Sequence, residues 1–135
     1  MIILNLVDTE TDKKYLKLSD IECYRIAFHL SNYIWNIVIK WDWFAKNTIG
    51  SQYVDAIDSV SANIAEGFGR HFKKDKINFY RYSKGSLKES YDWTQKAKVR
   101  ELIAAQEYDY IFSELEKIPK ALNHLIKYTN DKLSF

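Results

Sequence analysis

The chain has 135 residues, enough for one domain, with 47% hydrophobic and 28% charged residues and a formal net charge of +2. A single cysteine, Cys23, excludes an intramolecular disulfide, and no apolar run approaches the ~20 residues of a membrane span. Four Gly and one Pro are too few for the turns of a many-stranded sheet, whereas ten Tyr, seven Phe and four Trp supply ample apolar surface for a helical core or a subunit interface.

Residues 1–17 alternate loosely, with Ile2, Leu4 and Leu6 before a polar DTETDKK tip and Tyr15 and Leu16 after it, and are expected to form an extended arm or a short hairpin. They lack the basic start, long apolar stretch and small-residue cleavage site of a secretory signal. With the lone cysteine, this points to a reducing, cytoplasmic setting. A bundle is expected over residues 18–132. Its first helix opens on Ser19-Asp20-Ile21-Glu22, a capping-box pattern, and carries Tyr24, Ala27, Leu30, Ile34, Val38 and Trp41 on one face. Phe28, Trp35 and Ile39 make a second apolar stripe, which suits either a wide core face or a contact with another subunit.

The second helix is expected over residues 48–69, on the period of Ile49, Tyr53, Ala56, Ile57, Val60, Ile64 and Phe68. Gly67 and Gly69 would close it through a left-handed residue. The third starts near Asp75, an N-cap candidate, and runs to about Arg100. Ile77, Tyr80, Leu87, Tyr91 and Thr94 mark its buried face. Gly85 falls level with Ser59 to Ala62, where small residues on both sides would bring the two backbones close. The fourth helix, over residues 104–130, has the clearest period in the chain, from Tyr108 through Leu115 and Ile118 to Ile126. That period passes through Pro119, so one bent helix is expected. Four amphipathic helices on short links make an all-α, antiparallel up-down-up-down bundle.

Catalytic and metal chemistry find no support in the residues. No Glu is followed three positions later by His, so the Glu-x-x-His pairs of di-iron bundles are absent, and His29, His71 and His124 are scattered. There is no nucleophile elbow and no Walker-type loop. Cys23 lies among core positions, where a thiol is buried and inert. The expectation is a protein with no catalytic residues, no metal and no cofactor.

Two features remain. Asn63, Glu66 and Arg70 share one helical face, where an i,i+4 ion pair or, with Ser83 and Ser86, a polar network fixing the helix register is expected. Residues 70–100 also hold ten Lys/Arg against three Asp/Glu, while the other residues hold ten against fifteen. Arg70, Lys73 and Lys76 cluster at the start of the third helix, and Lys74, Arg81, Lys84 and Lys88 form a stripe along it. Phe72, Phe79, Tyr82 and Trp93 are interleaved. Clustered cations suit phosphates and aromatic faces suit unpaired bases, so Arg70, Lys73, Lys74, Arg81, Lys84 and Lys88 are the candidate nucleic-acid contacts. A solvated helix face is the alternative.

The stretch SVSANIAEGFGR at 59–70, followed by Lys73-Lys74-Asp75 and by Lys84-Gly85-Ser86-Leu87 with Glu89, resembles a family of four-helix bundle proteins. They are encoded by intervening sequences in bacterial large-subunit ribosomal RNA genes and are often labelled ribosomal proteins. The resemblance spans about Leu18 to Asn130. It implies an up-down bundle, a homopentameric ring and no enzyme activity. It also implies kinship with the accessory proteins of diversity-generating retroelements, which bind a reverse transcriptase and nucleic acid. The family's motif positions fall on Asn63, Glu66, Gly67, Arg70, Gly85, Ser86 and Glu89. The sequence departs from the pattern at Ser61, where the family commonly has proline, after Gln52, where arginines are usual, and at Tyr80, Arg81 and Tyr82. The function expected is an oligomeric accessory factor that binds RNA or another nucleic acid. The alternative is a protein-interaction scaffold.

Overall fold

The computed structural model describes residues 3–4 and 16–135. Two short strands, β1 (Ile3–Leu4) and β2 (Leu16–Lys17), pair antiparallel with Ile3 opposite Lys17 and Leu4 opposite Leu16. The polar tip expected between them lies outside the described residues. A 3-10 turn, Leu18–Asp20, then leads into α1 (Glu22–Val38). The Ser19 capping box does not form. The Lys17 N–H donates instead to the Asp20 carboxylate at 2.9 Å, and α1 begins after Ile21 without a side-chain cap. Asp20 thus caps the 3-10 turn and leaves Ser19 inside it.

The next helix begins earlier than its apolar period suggests. Asp42 accepts from the Ala45 N–H at 2.9 Å and opens a short helix, Trp43–Ala45, which runs through a π-helical turn, Lys46–Gly50, into α2 (Ser51–Gly69). Trp43 and Phe44 are 77% and 71% exposed, and the small Ala45 is the buried residue of this first turn, too little apolar signal for a period to detect. The π turn lies where a Cβ on Gly50 would sit 2.8 Å from Val38 Cγ1.

After a three-residue link come α3 (Lys73–Val99) and α4 (Ala105–Lys132). Asp75 lies in the first turn of α3, and Phe72 takes the N-cap position without a side-chain bond. The left-handed residue of the bundle is Glu101, with φ of 58°, in the α3–α4 turn. No described glycine has positive φ, and Arg70 ends α2 in an extended conformation. The α4 helix is continuous through Pro119, with Ile118 and Leu122 fully buried on either side.

Each long helix packs on two others, α1 on α2 and α4, and α3 on α2 and α4. Short links and end-to-end contacts set the directions. Tyr53, early in α2, shares a 2.7 Å buried hydrogen bond with Thr94, late in α3, and Lys73, at the start of α3, reaches Asn130 near the end of α4. The result is an antiparallel four-helix bundle. Its centre is filled by Leu30, Ile34, Tyr53, Ile57, Ile64, Phe68, Tyr80, Ile111, Leu115, Ile118 and Leu122, all fully buried. Burial of each such side chain contributes about 1.5–3 kcal/mol. No helix among the described residues is long and apolar enough to cross a membrane.

Candidate nucleic-acid interface

The basic segment enters the fold through the α2–α3 turn, and packing there is tight. A Cβ on Gly67 would stand 2.7 Å from the Tyr80 ring and 2.8 Å from the Lys76 carbonyl. Gly67 is therefore needed for the close approach of α3, with helical backbone, and does not terminate the helix through a left-handed turn. Gly85 is the reverse case. It is exposed, and a Cβ there would meet nothing within 4 Å, so it does not make the close helix contact expected of it. The α2–α3 register comes from Ser83, whose hydroxyl donates to the Val60 carbonyl at 2.7 Å, and from the Tyr53–Thr94 pair.

The candidate polar network does not form between the helices. The Asn63 amide donates to the Ser59 carbonyl at 2.9 Å within α2. Glu66 and Arg70 pair at 3.0 Å with side chains 52% and 46% exposed, and the Arg70 guanidinium lies 4.6 Å above the Phe79 ring. An exposed pair of this kind contributes less than about 0.5 kcal/mol. Ser86 accepts through its carbonyl from Ser90, and Glu89 accepts from the Trp93 indole at 3.2 Å. Side chains at the motif positions thus bond mostly within their own helix, because Glu66, Arg70, Gly85 and Glu89 face solvent.

The cations of the segment have two different fates. Lys73 is half-buried, and its ammonium donates to the Asn130 and Leu133 carbonyls, each at 3.2 Å. Its N–H donates to the Phe135 carbonyl at 2.9 Å. Lys76 is 3% exposed and donates to the Phe68 carbonyl at 2.8 Å, with the Phe68 ring 5.7 Å away. Both lysines satisfy carbonyls at the ends of helices, where no intrahelical donor remains. Burial lowers the Lys76 amine from 10.5 to about 8, because no carboxylate offsets the lost hydration.

Lys74, Arg81 and Lys88 are exposed and Lys84 is half-exposed, and none has an ion pair among the described residues. Phe72 and Tyr82, 54% and 58% exposed, lie near Lys74 and Arg81 in the chain, and Phe79 meets Tyr82 edge to face at 5.3 Å. This outer side of α3 can neutralise phosphates and offer rings for stacking.

Lys76 is the residue that charge counting misplaced. The signal that identifies it is periodic. Lys76, Tyr80, Ser83, Leu87, Ser90, Thr94 and Ala97 recur at three and four, and all are buried. Lys76 is the charged member of an otherwise small and apolar stripe. Cys23 is 1% exposed, and burial raises its thiol to about 12. Among the described residues no three His, Cys, Asp or Glu gather as a metal site.

The chain matches the family model for the 23S rRNA-intervening sequence protein over residues 19–124. No curated protein matches it. One solved structure that it resembles is described as a protein with unknown function from the S23 ribosomal protein family of Bacteroides thetaiotaomicron. The TM-score is 0.69 at 22% identity, covering 78% of this chain and 98% of that one. Likeness at that identity speaks for the fold. Because the family model covers α1, α2, α3 and most of α4, the chain belongs to the 23S rRNA-intervening sequence protein family.

Proposed function

We propose that this protein is a non-enzymatic, cytoplasmic, oligomeric accessory factor that binds RNA or another nucleic acid through the outer face of α3. The observation that carries the reading is the row of Lys74, Arg81, Lys84 and Lys88, which lack ion pairs among the described residues and stand beside exposed Phe72 and Tyr82. Arg70 flanks the row, held by Glu66 and Phe79. Lys73 has a separate task at the end of α4. Cations without base-reading geometry give affinity that is steep in salt and shallow in sequence. Four phosphate contacts on a single strand correspond to a log-affinity slope of about −3 against log salt. The assembly expected is the pentamer that the resemblance implies, and a protein partner, a reverse transcriptase in the retroelement accessory proteins, belongs to the same reading.

The test is fluorescence anisotropy with labelled single-stranded RNA, structured RNA and duplex DNA across a salt titration, with the mass in solution measured on the same sample. Salt-dependent binding by an oligomer supports the reading. A folded protein that binds none of the probes at low salt overturns it.

A second reading, a scaffold without a nucleic-acid partner, is favoured by the outer face of α1, where Phe28, Trp35 and Ile39 are 45%, 51% and 42% exposed. It expects Trp35→Ala to dissociate the assembly, or to lose a protein partner, with helical content intact.

A further inference from the structure

At the end of the bundle away from the α2–α3 turn, a cleft of about 790 Å³ opens between the first turns of the α2 segment and the last turns of α3. Asp42, whose carboxylate accepts from the Ala45 N–H, lines one side with Phe44, Asn47, Thr48 and Gln52, and Trp93, Lys96 and Arg100 line the other. We infer that this cleft binds one unpaired nucleotide of a single strand whose backbone follows α3, with the base on Phe44 and the phosphate on Arg100. This rests on the nucleic-acid reading of the α3 face and extends it to a strand type.

The first argument is continuity. Lys84, Lys88 and Lys96 on α3 and Arg100 at its C-cap fall on steps of four, with Asp92 in the intervening place. Each step is about 6 Å of helix rise, and the row ends inside the cleft. Lys96 is bound by Asp92 and lies 4.6 Å over the Trp93 ring, while Arg100 has no ion pair among the described residues. Arg100 is therefore the cation open to a phosphate.

The second argument is the chemistry of the walls. The Trp93 indole bonds to Glu89 and one face of its ring is covered by Lys96. Phe44 is 71% exposed and presents an uncovered ring on which any base can stack. Asn47 and Thr48 donate to the Trp43 and Phe44 carbonyls, which leaves the Asn47 amide oxygen and the Thr48 hydroxyl as acceptors. Gln52 adds a whole amide without a hydrogen bond among the described residues. A stacking ring, a free guanidinium and an amide edge suit a splayed-out nucleotide, whose base a duplex would keep stacked.

The experiment compares a labelled single-stranded RNA with its blunt-ended duplex, using wild type, Phe44→Ala and Lys84→Glu/Lys88→Glu. Phe44 is surface-exposed, so its removal leaves the bundle folded, which circular dichroism verifies. Loss of roughly tenfold in single-strand affinity with Phe44→Ala, duplex binding and salt slope unchanged, supports the inference. If Phe44→Ala binds both probes like wild type while the lysine variant loses both, the cleft assignment is overturned and the α3 face stands. If wild type binds neither probe, both fall together.

Discussion

The two ends of one basic run behave as different materials. At the α2–α3 turn, Lys73 and Lys76 are drawn inward to carbonyls at the ends of α4 and α2. A few turns further along α3, Arg81, Lys84 and Lys88 stand outward without an ion pair among the described residues. The same residue type serves as structural cap in one region and as available charge in the other. Position relative to the buried stripe of α3 decides which. Charge density along a sequence therefore overstates the surface available to a polyanion, and the helical period has to be applied before the charges are counted.

Changes at the inward end should cost stability and changes at the outward end should not. Lys76→Glu places a carboxylate against the Phe68 carbonyl in a buried site and is expected to destabilise by about 3–5 kcal/mol in urea unfolding. A neutral midpoint shift would break the contrast. The glycines sharpen it with opposite signs. Gly67→Ala forces the Tyr80 ring or the α3 backbone to shift and is expected to destabilise by about 1–3 kcal/mol. Gly85→Ala meets open space in a helix interior and is expected to stabilise by about 0.5–1 kcal/mol.

The smallest effect is in pH. The Lys76 amine falls from 10.5 to about 8 on folding, so above pH 8 the unfolded chain binds the extra proton and stability rises with pH. Cys23 acts the other way from pH 9, since its thiol keeps its proton in the fold to about 12, and burial raises the Tyr53 and Tyr80 phenols likewise. Of these groups, Lys76 thus acts alone between about pH 8 and 9. Lys76→Met should flatten the stability curve there, whereas an unchanged rise would locate its source elsewhere.

The bundle itself was legible because α1 and α4 keep a strict period around residues that are buried, such as Ala27, Ile34, Leu115 and Leu122. The start of the α2 segment was not, since Trp43 and Phe44 are exposed and only the Asp42 cap marks it. Gly67 read as a terminator because sequence shows a glycine's freedom and hides what packs against it. The motif around Glu66 and Arg70 read as either an i,i+4 pair or a polar network, because its spacing fixes a face but not the direction that face points; the exposed pair is what forms. The cleft at Phe44 and Arg100 joins residues more than fifty positions apart, so only the packing of α2 on α3 assembles it.

The most direct measurement of the central claim is the salt dependence of single-stranded RNA binding for wild type, Lys84→Glu/Lys88→Glu and Lys73→Met. The outward pair should reduce affinity more than tenfold and lower the salt slope by about 1.4 or more, with unfolding midpoints within about 0.5 kcal/mol of wild type. Lys73→Met should leave the slope unchanged. Equal slopes for wild type and the Lys84/Lys88 variant would contradict the assignment of nucleic-acid binding to this face of α3.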